Sequence, residues 1–141
     1  MRRSGAYTGL IMTHSARLTL LIAAFTGMLA VILGAFGAHA LRDLLEPRML
    51  AAWQTAVEYQ FWHVAALLAV GCLQQSTSCR WLRASALAFM LGMLLFCGSL
   101  YAMALSGIGQ LGTITPFGGV ALIFAWLFLF ISLYAGRSTS A

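Results

Sequence analysis

The chain has 141 residues, of which 62% are apolar and 8% are charged, and its mean hydropathy is +0.92. Soluble domains carry about 25% charged residues, so this composition excludes a water-soluble globular domain and indicates a membrane protein. The net charge of +5 comes entirely from arginines that flank apolar blocks. Nucleic-acid binding needs a clustered basic face on a soluble module, so nucleic acid is not expected as a partner.

The first apolar block, residues 18–38, carries no charge and predicts a membrane-spanning helix. At about 1.5 Å per residue it is roughly 30 Å long, which matches the hydrocarbon core of a bilayer. The sequence Ala38-His39-Ala40 resembles a signal-peptidase site. However, the block is longer than the roughly 7–15 residues of a signal-peptide hydrophobic region, which favours a retained helix.

Residues 1–17, ahead of this block, predict a short cytoplasmic segment. Residues 1–11 show no periodicity, and Met12 begins a second natural start of translation. Translation from Met12 would make residues 1–11 an upstream extension, and with either start we expect this stretch to be poorly ordered.

The second block predicts a helix over residues 47–73, because Pro47 suits the first turn of a helix and nothing after it breaks the pattern. Its length of about 40 Å exceeds the membrane core. Its first turns are mixed and its second half is apolar, so we expect the helix to begin in the interface and then to cross the bilayer. The amphipathic stretch Leu41–Leu45 predicts a short interfacial helix before it.

A polar break over residues 74–83 separates the second block from the third, which predicts a helix over residues 84–105. A glycine-rich loop then leads to the fourth predicted helix, residues 116–135. Thr115 and Pro116 form an N-cap and N1 pair, so the start of this helix is well specified.

Together these elements predict an all-α fold: a single membrane domain over residues 18–136, built as a four-transmembrane-helix bundle with a short interfacial helix between helices 1 and 2. Residues 137–141 predict a short cytoplasmic tail. Basic residues mark the cytoplasmic side of membrane proteins, and both termini are therefore predicted to be cytoplasmic. On this topology the inner segments hold Arg2, Arg3, Arg17, Arg80, Arg83 and Arg137, and the outer ones Arg42 and Arg48.

Small residues recur four apart within the apolar blocks. This spacing is typical of helix–helix contacts in membranes, where small side chains let backbones approach closely. The alternative interpretation is a lining for a substrate path. The residues expected at helix contacts are Gly34, Ala38, Gly92, Gly98, Gly118 and Gly119.

Polar and ionisable side chains within membrane helices are costly, which makes them candidates for function. Gln60 and His63 are three residues apart and share a helix face, and Tyr59 lies one turn before His63. Histidine can carry protons or bind metal or haem, but hydrogen bonds to loop carbonyls or to His39 are the simpler interpretation. The candidate polar cluster consists of His39, Glu58, Gln60 and His63.

Other polar side chains carry no recognisable chemistry. The three cysteines are widely spaced and show no metal-ligand spacing, so no metal or other cofactor is predicted. Neither a nucleophile elbow nor a phosphate-binding loop in its proper context is present. Ser99, Tyr101 and Thr115 are expected to bond to backbone groups of neighbouring helices.

Four segments resemble one family of small bacterial inner-membrane proteins. They are GAFGAHAL (residues 34–41), WQTAVEYQFWH (residues 53–63), FCGSLYAMALSG (residues 96–107) and LGTITPFGG (residues 111–119). The chain resembles the YgdD-like family, a domain of unknown function, over roughly Met12 to Gly136. The resemblance implies a four-helix integral membrane protein of the bacterial inner membrane without an assigned activity, and it supplies no catalytic residue.

Three functions compete on this basis. The leading expectation is a non-enzymatic structural or accessory subunit that packs in or against a larger membrane complex, with lipid and other membrane subunits, or further copies of itself, as partners. The alternative is a small oligomeric transporter or channel that uses Glu58, Gln60 and His63. A redox or lipid-modifying enzyme using His39 and His63 is the third hypothesis.

Overall fold

A computed structural model describes residues 13–77 and 79–136, and within these ranges the chain is helical without any strand. The four α-helices are long and apolar enough to cross a membrane. The predicted all-α membrane fold with four spanning helices is therefore confirmed. The helices are α1 (His14–His39), α2 (Pro47–Ser76), α3 (Arg80–Ser106) and α4 (Thr115–Gly136), with a 3₁₀ helix (Gly109–Thr113) before α4.

The predicted upstream extension before Met12 and the predicted tail, residues 137–141, lie outside the described residues. So do Arg2, Arg3 and Arg137, on which part of the predicted orientation depends.

The helix ends follow local sequence signals. α1 begins ahead of the apolar block because the Thr13 hydroxyl accepts a hydrogen bond from the backbone N–H of Ala16 at 3.3 Å. Pro47 occupies the first turn of α2. α3 ends at Ser106 and is followed by Gly107, whose φ of +72° is the left-handed conformation that favours glycine after a helix.

Two connections differ from the sequence-based expectation. Leu41–Leu45 forms a single turn, in which the Leu45 N–H donates to the Leu41 carbonyl at 3.0 Å, and not a short interfacial helix. Glu46 precedes a proline and has an extended backbone with ψ of 149°, which prevents helix from continuing into α2. α2 continues to Ser76 and α3 begins at Arg80, so most of the predicted polar break, residues 74–83, is helical.

Each helix packs on the next one along the chain: α1 on α2, α2 on α3, and α3 on α4. In α2 and α3, 44% of the membrane-spanning window is buried within the protein, against 17% in α1 and 22% in α4. The centre of the core lies where Leu67, Val70 and Phe89 meet Leu122 and Ala125. α2 and α3 therefore form the middle of the bundle, and α1 and α4 flank it.

The glycines of α3 and α4 make the closest helix contact. A Cβ atom on Gly92 would lie 2.5 Å from Leu122 Cδ2, and one on Gly118 would collide with the Phe96 backbone. A Cβ on Gly119 would make only ordinary contact with the Phe96 ring. Small residues at these positions let the two helices approach.

The remaining predicted packing residues behave differently from one another. Gly34 on α1 faces Val57 on α2, and a Cβ there would lie 3.3 Å from Val57 Cγ1. A Cβ on Gly98 would meet nothing within 4 Å, and Ala38 is exposed. Gly98 and Ala38 therefore do not form the close helix contacts expected of them. The close contact with α2 in this turn of α1 is made by Gly37 and not by Ala38, since a Cβ on Gly37 would lie 2.5 Å from Trp53 Nε1.

Candidate functional site

One face of α2 carries a line of buried residues that are seven positions apart: Trp53, Gln60, Leu67 and Gln74. A seven-residue spacing keeps side chains on one helix face when two helices coil around each other. On α1, small buried residues recur at the same seven-residue spacing: Ala16, Ala23, Ala30 and Gly37. We call the four α2 residues the inner seam.

Trp53 forms the outermost step of the inner seam, next to the α1–α2 loop. Its indole Nε1 donates a hydrogen bond to the carbonyl of Leu33 on α1 at 2.9 Å. Gly37 makes this approach feasible, because a Cβ atom there would lie 2.5 Å from Trp53 Nε1. The indole also contacts the Tyr101 ring of α3 edge-on, with centroids 4.7 Å apart. Trp53 therefore joins three helices.

Gln60 forms the next polar step and also joins three helices. Its amide Nε2 donates to the Thr26 carbonyl of α1 at 2.7 Å, and its Oε1 accepts from the Tyr101 hydroxyl of α3 at 2.8 Å. The predicted partners, loop carbonyls or His39, are wrong: both partners lie on helices. Tyr101 accordingly binds a side chain and not the expected backbone group.

Gln74 repeats this arrangement at the opposite end of the inner seam. Its Oε1 accepts from the Thr19 hydroxyl of α1 at 2.8 Å, and its Nε2 donates to the Leu82 carbonyl of α3 at 3.2 Å. The Thr13 hydroxyl donates to the Gln74 backbone carbonyl at 3.3 Å. Two glutamines fourteen positions apart on α2 thus bridge the same pair of helices.

His63 lies in an aromatic environment between α2, α3 and α4. Its Nδ1 lies 2.6 Å from the Tyr59 carbonyl, and since a carbonyl only accepts, Nδ1 carries the hydrogen of this bond. The imidazole stacks on Tyr59, with centroids 5.8 Å apart, as the four-residue spacing predicted. Phe89 and Trp126 contact it from the other helices, at 5.8 Å and 6.4 Å between centroids.

The predicted polar cluster is therefore not one site. Gln60 and His63 are buried, but in separate surroundings, whereas His39 and Glu58 are exposed. His39 ends α1. Glu58 lies two residues from Gln60, which corresponds to about 200° around a helix, so the two side chains leave α2 on opposite sides.

A second line of residues on α2 is exposed, and we call it the outer face; its first member, Glu58, borders a small pocket beside Gly34 and Ala38 of α1. Within residues 13–77 and 79–136, no hydrogen bond or ion pair involves the Glu58 side chain. Trp62 follows one turn later and is 68% exposed. The outer face consists of Glu58, Trp62, Ala65, Ala69 and Cys72, all exposed and spaced alternately by four and three positions.

Hydroxyl groups join α3 to α4. The Ser85 hydroxyl donates to the Ala125 carbonyl at 2.8 Å, as expected of a small polar residue in a membrane helix. Ser99 and Thr115 bond to each other at 2.8 Å, and Ser99 also donates to the Phe96 carbonyl of its own helix. The expectation that Ser99 and Thr115 reach the backbone of neighbouring helices is therefore wrong.

The polar side chains of the inner seam hold neighbouring helices together, whereas those of the outer face make no bond within the described residues. The buried side-chain polar atoms described by the structure all have hydrogen-bond partners. Across the same residues, no three His, Cys, Asp or Glu side chains gather with the geometry of a metal site. On the outer face, the Glu58 carboxylate has no hydrogen-bond or ion-pair partner among the described residues.

Sequence reasoning missed Trp53, Gln74 and Gly37 as contact residues. Gln74 falls in the predicted polar break, and Gly37 is adjacent to the predicted contact residue Ala38. The seven-residue spacing of Trp53, Gln60 and Gln74 is the signal that would have identified the inner seam, since heptad spacing predicts a shared helix face.

Comparison with known proteins supports the same architecture. Residues 33–119 match the profile of a family described as a protein of unknown function (DUF423). A UPF0382 membrane protein of Staphylococcus aureus is 41% identical over 84% of this chain and 96% of its own length. YwdK of Bacillus subtilis is 36% identical over 80% of this chain and 93% of its own length. The UPF0382 inner membrane protein YgdD of Escherichia coli is 36% identical over 83% and 89%. No solved structure matches the chain.

Proposed function

The chain belongs to the DUF423 family of membrane proteins, and on that premise we propose that it is a non-enzymatic accessory subunit whose α2 outer face packs against a helix of a larger membrane complex. The observation that carries this proposal is Glu58, an exposed carboxylate within a spanning helix for which the described residues provide no partner.

The position of Glu58 makes an external partner favourable. It lies eleven residues after Pro47, or about 16 Å along the helix. An aspartate at the centre of a membrane helix costs about 2.5–3.5 kcal/mol on insertion scales, and such residues usually pair with other protein groups. A cation or hydrogen-bond donor on a neighbouring helix would offset part of this cost.

The rest of the outer face has the composition of a helix contact. Beyond Trp62, Ala65, Ala69 and Cys72 form a line without bulky side chains over two turns, so another helix can approach along it beside the exposed Leu68. Small exposed residues left over after the bundle has formed are what an accessory subunit requires.

The transporter alternative receives less support from the same geometry. It needs Glu58, Gln60 and His63 along one path. Glu58 is exposed, Gln60 is held between α1 and α3, and His63 lies among aromatic rings. The enzyme hypothesis needs His39 near His63, but His39 is exposed at the end of α1 while His63 is buried within α2.

A site-specific crosslink tests the accessory role. A photoreactive amino acid replaces Ala69 on the outer face or, as a control, Ala24, which is exposed on α1. We expect a defined membrane-protein adduct from position 69 and not from position 24, and we expect Ala65→Leu to reduce it. Recovery of only lipid adducts at position 69, together with purification of this chain alone in mild detergent, would contradict the proposal.

We further propose that both ends of the chain face the cytoplasm, because more arginines flank the ends of the helices on that side than on the other. A reporter that functions only in the cytoplasm is expected to be active when fused after residue 141 and inactive when inserted at Gln110. The reverse pattern would contradict this orientation.

A further inference from the structure

A polar pocket lies where the start of α1 meets the end of α2 and the start of α3. Its volume is about 340 Å³, within the range of roughly 300–1,000 Å³ typical of small-molecule sites. We call it the Arg83 pocket. Each of its polar side chains can donate a hydrogen bond and none is a carboxylate, so the pocket favours an anion. These side chains are Thr13, His14, Ser15, Gln74, Thr77 and Arg83.

Three donors of the Arg83 pocket have no partner in the part of the chain that the structure describes. Within residues 13–77 and 79–136, no hydrogen bond or ion pair involves the His14 imidazole, the Ser15 hydroxyl or the Thr77 hydroxyl. The Arg83 guanidinium adds five N–H donors in a fixed fork, which matches two oxygens of a phosphate group. The pocket therefore offers a bound anion a cation and several further donors.

Hydrogen bonds between three helices fix the walls of the Arg83 pocket. The Thr13 hydroxyl donates to the Gln74 backbone carbonyl at 3.3 Å. The Gln74 side chain accepts from Thr19 of α1 at 2.8 Å and donates to the Leu82 carbonyl of α3 at 3.2 Å. Leu82 immediately precedes Arg83, so this bond anchors the turn of α3 that carries the arginine. A site held in this way loses little conformational freedom when it binds a ligand.

Charges around the Arg83 pocket also favour an anion. Two further arginines lie at the same end of the helices, namely Arg17 and Arg80. The three acidic residues of the chain lie elsewhere. Asp43 and Glu46 follow the opposite end of α1. Glu58 lies sixteen residues before Gln74, which is about 24 Å along α2. A site lined by one sign of charge concentrates ligands of the other sign.

The depth of the Arg83 pocket identifies the anion. Trp81 lies two residues before Arg83, and its ring centroid lies 5.0 Å from Cζ of Arg80. Tryptophans in membrane proteins are enriched at the level of the lipid headgroups. The apolar block of α1 begins at Leu18, one turn beyond the residues of α1 that line the pocket. The pocket thus lies at the depth of the lipid phosphates.

We propose that the Arg83 pocket binds the phosphate group of a membrane phospholipid. The Arg83 fork holds two phosphate oxygens, and the hydroxyls of Ser15 and Thr77 donate to the remaining ones. Inorganic phosphate carries the same oxygens and is the competing source of this chemistry. No residue of the outer face of α2 lines the pocket, so the site does not depend on the proposed accessory role.

The first experiment isolates the phosphate group and uses the unaltered chain. Delipidated protein in mild detergent is offered dioleoyl phosphatidic acid or dioleoylglycerol, which has the same acyl chains without the phosphate. Native mass spectrometry counts the lipid retained. We expect one tightly retained phosphatidic acid and at least about tenfold less dioleoylglycerol, since hydrogen bonds to a charged group are worth about 1.5–3 kcal/mol. Equal retention of the two lipids would overturn the proposal.

A pair of arginine variants tests whether the pocket holds the phosphate. Arg83→Gln removes the fork. Arg80→Gln removes the same charge three residues earlier, outside the pocket lining, and is the matched control. We expect at least about a tenfold loss of bound phosphatidic acid in Arg83→Gln and less than about twofold in Arg80→Gln. Equal losses would show that general surface charge attracts the lipid, which contradicts a specific site.

A charge introduced at Thr77 keeps the test valid if Arg83→Gln does not fold. Thr77 is exposed and extended after the end of α2, so Thr77→Asp places a carboxylate at the pocket without altering the core. Gln75→Asp, at an exposed position outside the lining, is its control. We expect only Thr77→Asp to lose phosphatidic acid. Undiminished retention by both variants would rule out this site.

Competition identifies the source of the phosphate. Inorganic phosphate in large excess is added to the wild-type protein that carries phosphatidic acid. We expect the lipid to stay bound, which assigns the site to a phospholipid. Displacement of the lipid would overturn that assignment and identify free phosphate as the ligand of the Arg83 pocket.

Discussion

The two faces of α2 differ in whether their polar residues have hydrogen-bond partners within the protein. On the inner seam, Trp53, Gln60 and Gln74 all donate or accept hydrogen bonds across to α1 or α3. On the outer face, Glu58 has no bonding partner among the described residues although it is only two positions from Gln60. Both faces combine polar and apolar side chains, so hydrophobicity does not distinguish them.

We therefore expect the inner seam to determine the stability of the fold and the outer face to serve the recognition of other molecules. A buried polar group that loses its partner keeps its full desolvation cost, so the inner seam specifies how α1, α2 and α3 fit together. A polar group without an internal partner contributes nothing to that fit, and its retention within the membrane calls for another explanation. Variants of the two faces should therefore differ in stability, and the largest effect is expected from the buried Trp53 of the inner seam.

Trp53→Ala should destabilise the protein most. The change removes the Leu33 hydrogen bond and the Tyr101 contact and opens a cavity beside Gly37. Removal of a buried tryptophan costs about 3–5 kcal/mol. Trp62→Ala, on the exposed face of the same helix, is the matched control and should change the free energy of unfolding by less than about 1 kcal/mol. Unfolding in a detergent titration measures both, and equal losses would contradict the assignment of the two faces.

Gln60→Leu should have the next largest effect. The substitution leaves the Tyr101 hydroxyl without its partner and removes the bond to the Thr26 carbonyl. The expected loss is about 1–2 kcal/mol, in the range seen for polar side chains between membrane helices. Gln54→Leu, at an exposed position of α2, is the control and should be near neutral in the same unfolding titration. A more stable Gln60→Leu variant would indicate that the polar bridge serves another purpose.

The Gln60–Tyr101 bond itself can be isolated with a double-mutant cycle. Tyr101→Phe keeps the ring beside Trp53 and removes only the hydroxyl. Combined with Gln60→Leu, it should give a coupling free energy of about 0.6 kcal/mol and no more than about 1.7 kcal/mol. Strict additivity of the two single changes would show that the bond does not contribute to stability.

Glu58→Gln should have the smallest effect on the isolated protein. The Glu58 side chain has no bonding partner within the described part of the chain, so its charge can be removed with a change below about 0.5 kcal/mol. The same substitution should weaken the crosslink formed from position 69. A large loss of stability in purified Glu58→Gln would reveal an internal partner and remove the main argument for an external one.

The sequence predicted much of the fold because its signals are local. Apolar blocks of membrane-spanning length correspond to the four helices, and Pro47 marks the start of α2. The predicted N-cap at Thr115 is wrong, because α4 begins at Thr115 itself and the Thr115 hydroxyl bonds to Ser99. The predicted short interfacial helix is wrong because five residues close too few helical hydrogen bonds to form a stable helix, and Glu46, extended before Pro47, prevents the stretch from joining α2. The pairing of Tyr59 with His63 was predictable for the same local reason, since residues four apart meet on a helix.

The candidate site was predicted less well because its partners are remote in the chain. Gln60 was correctly singled out as polar, but its partners, Thr26 and Tyr101, are 34 and 41 positions away. Glu58 was grouped with Gln60 by proximity in sequence, although the two lie on opposite faces of α2.

The sequence by itself determined that this protein is a membrane protein with four spanning helices, since composition and block length follow directly from the bilayer. Only the tertiary structure decided which face of each helix is inside. In a bilayer the lipid is as apolar as the protein interior, so hydrophobic periodicity does not distinguish the two. Which faces of α1 and α2 are buried is determined by the contacts of Trp53, Gln60, Gln74 and Gly37.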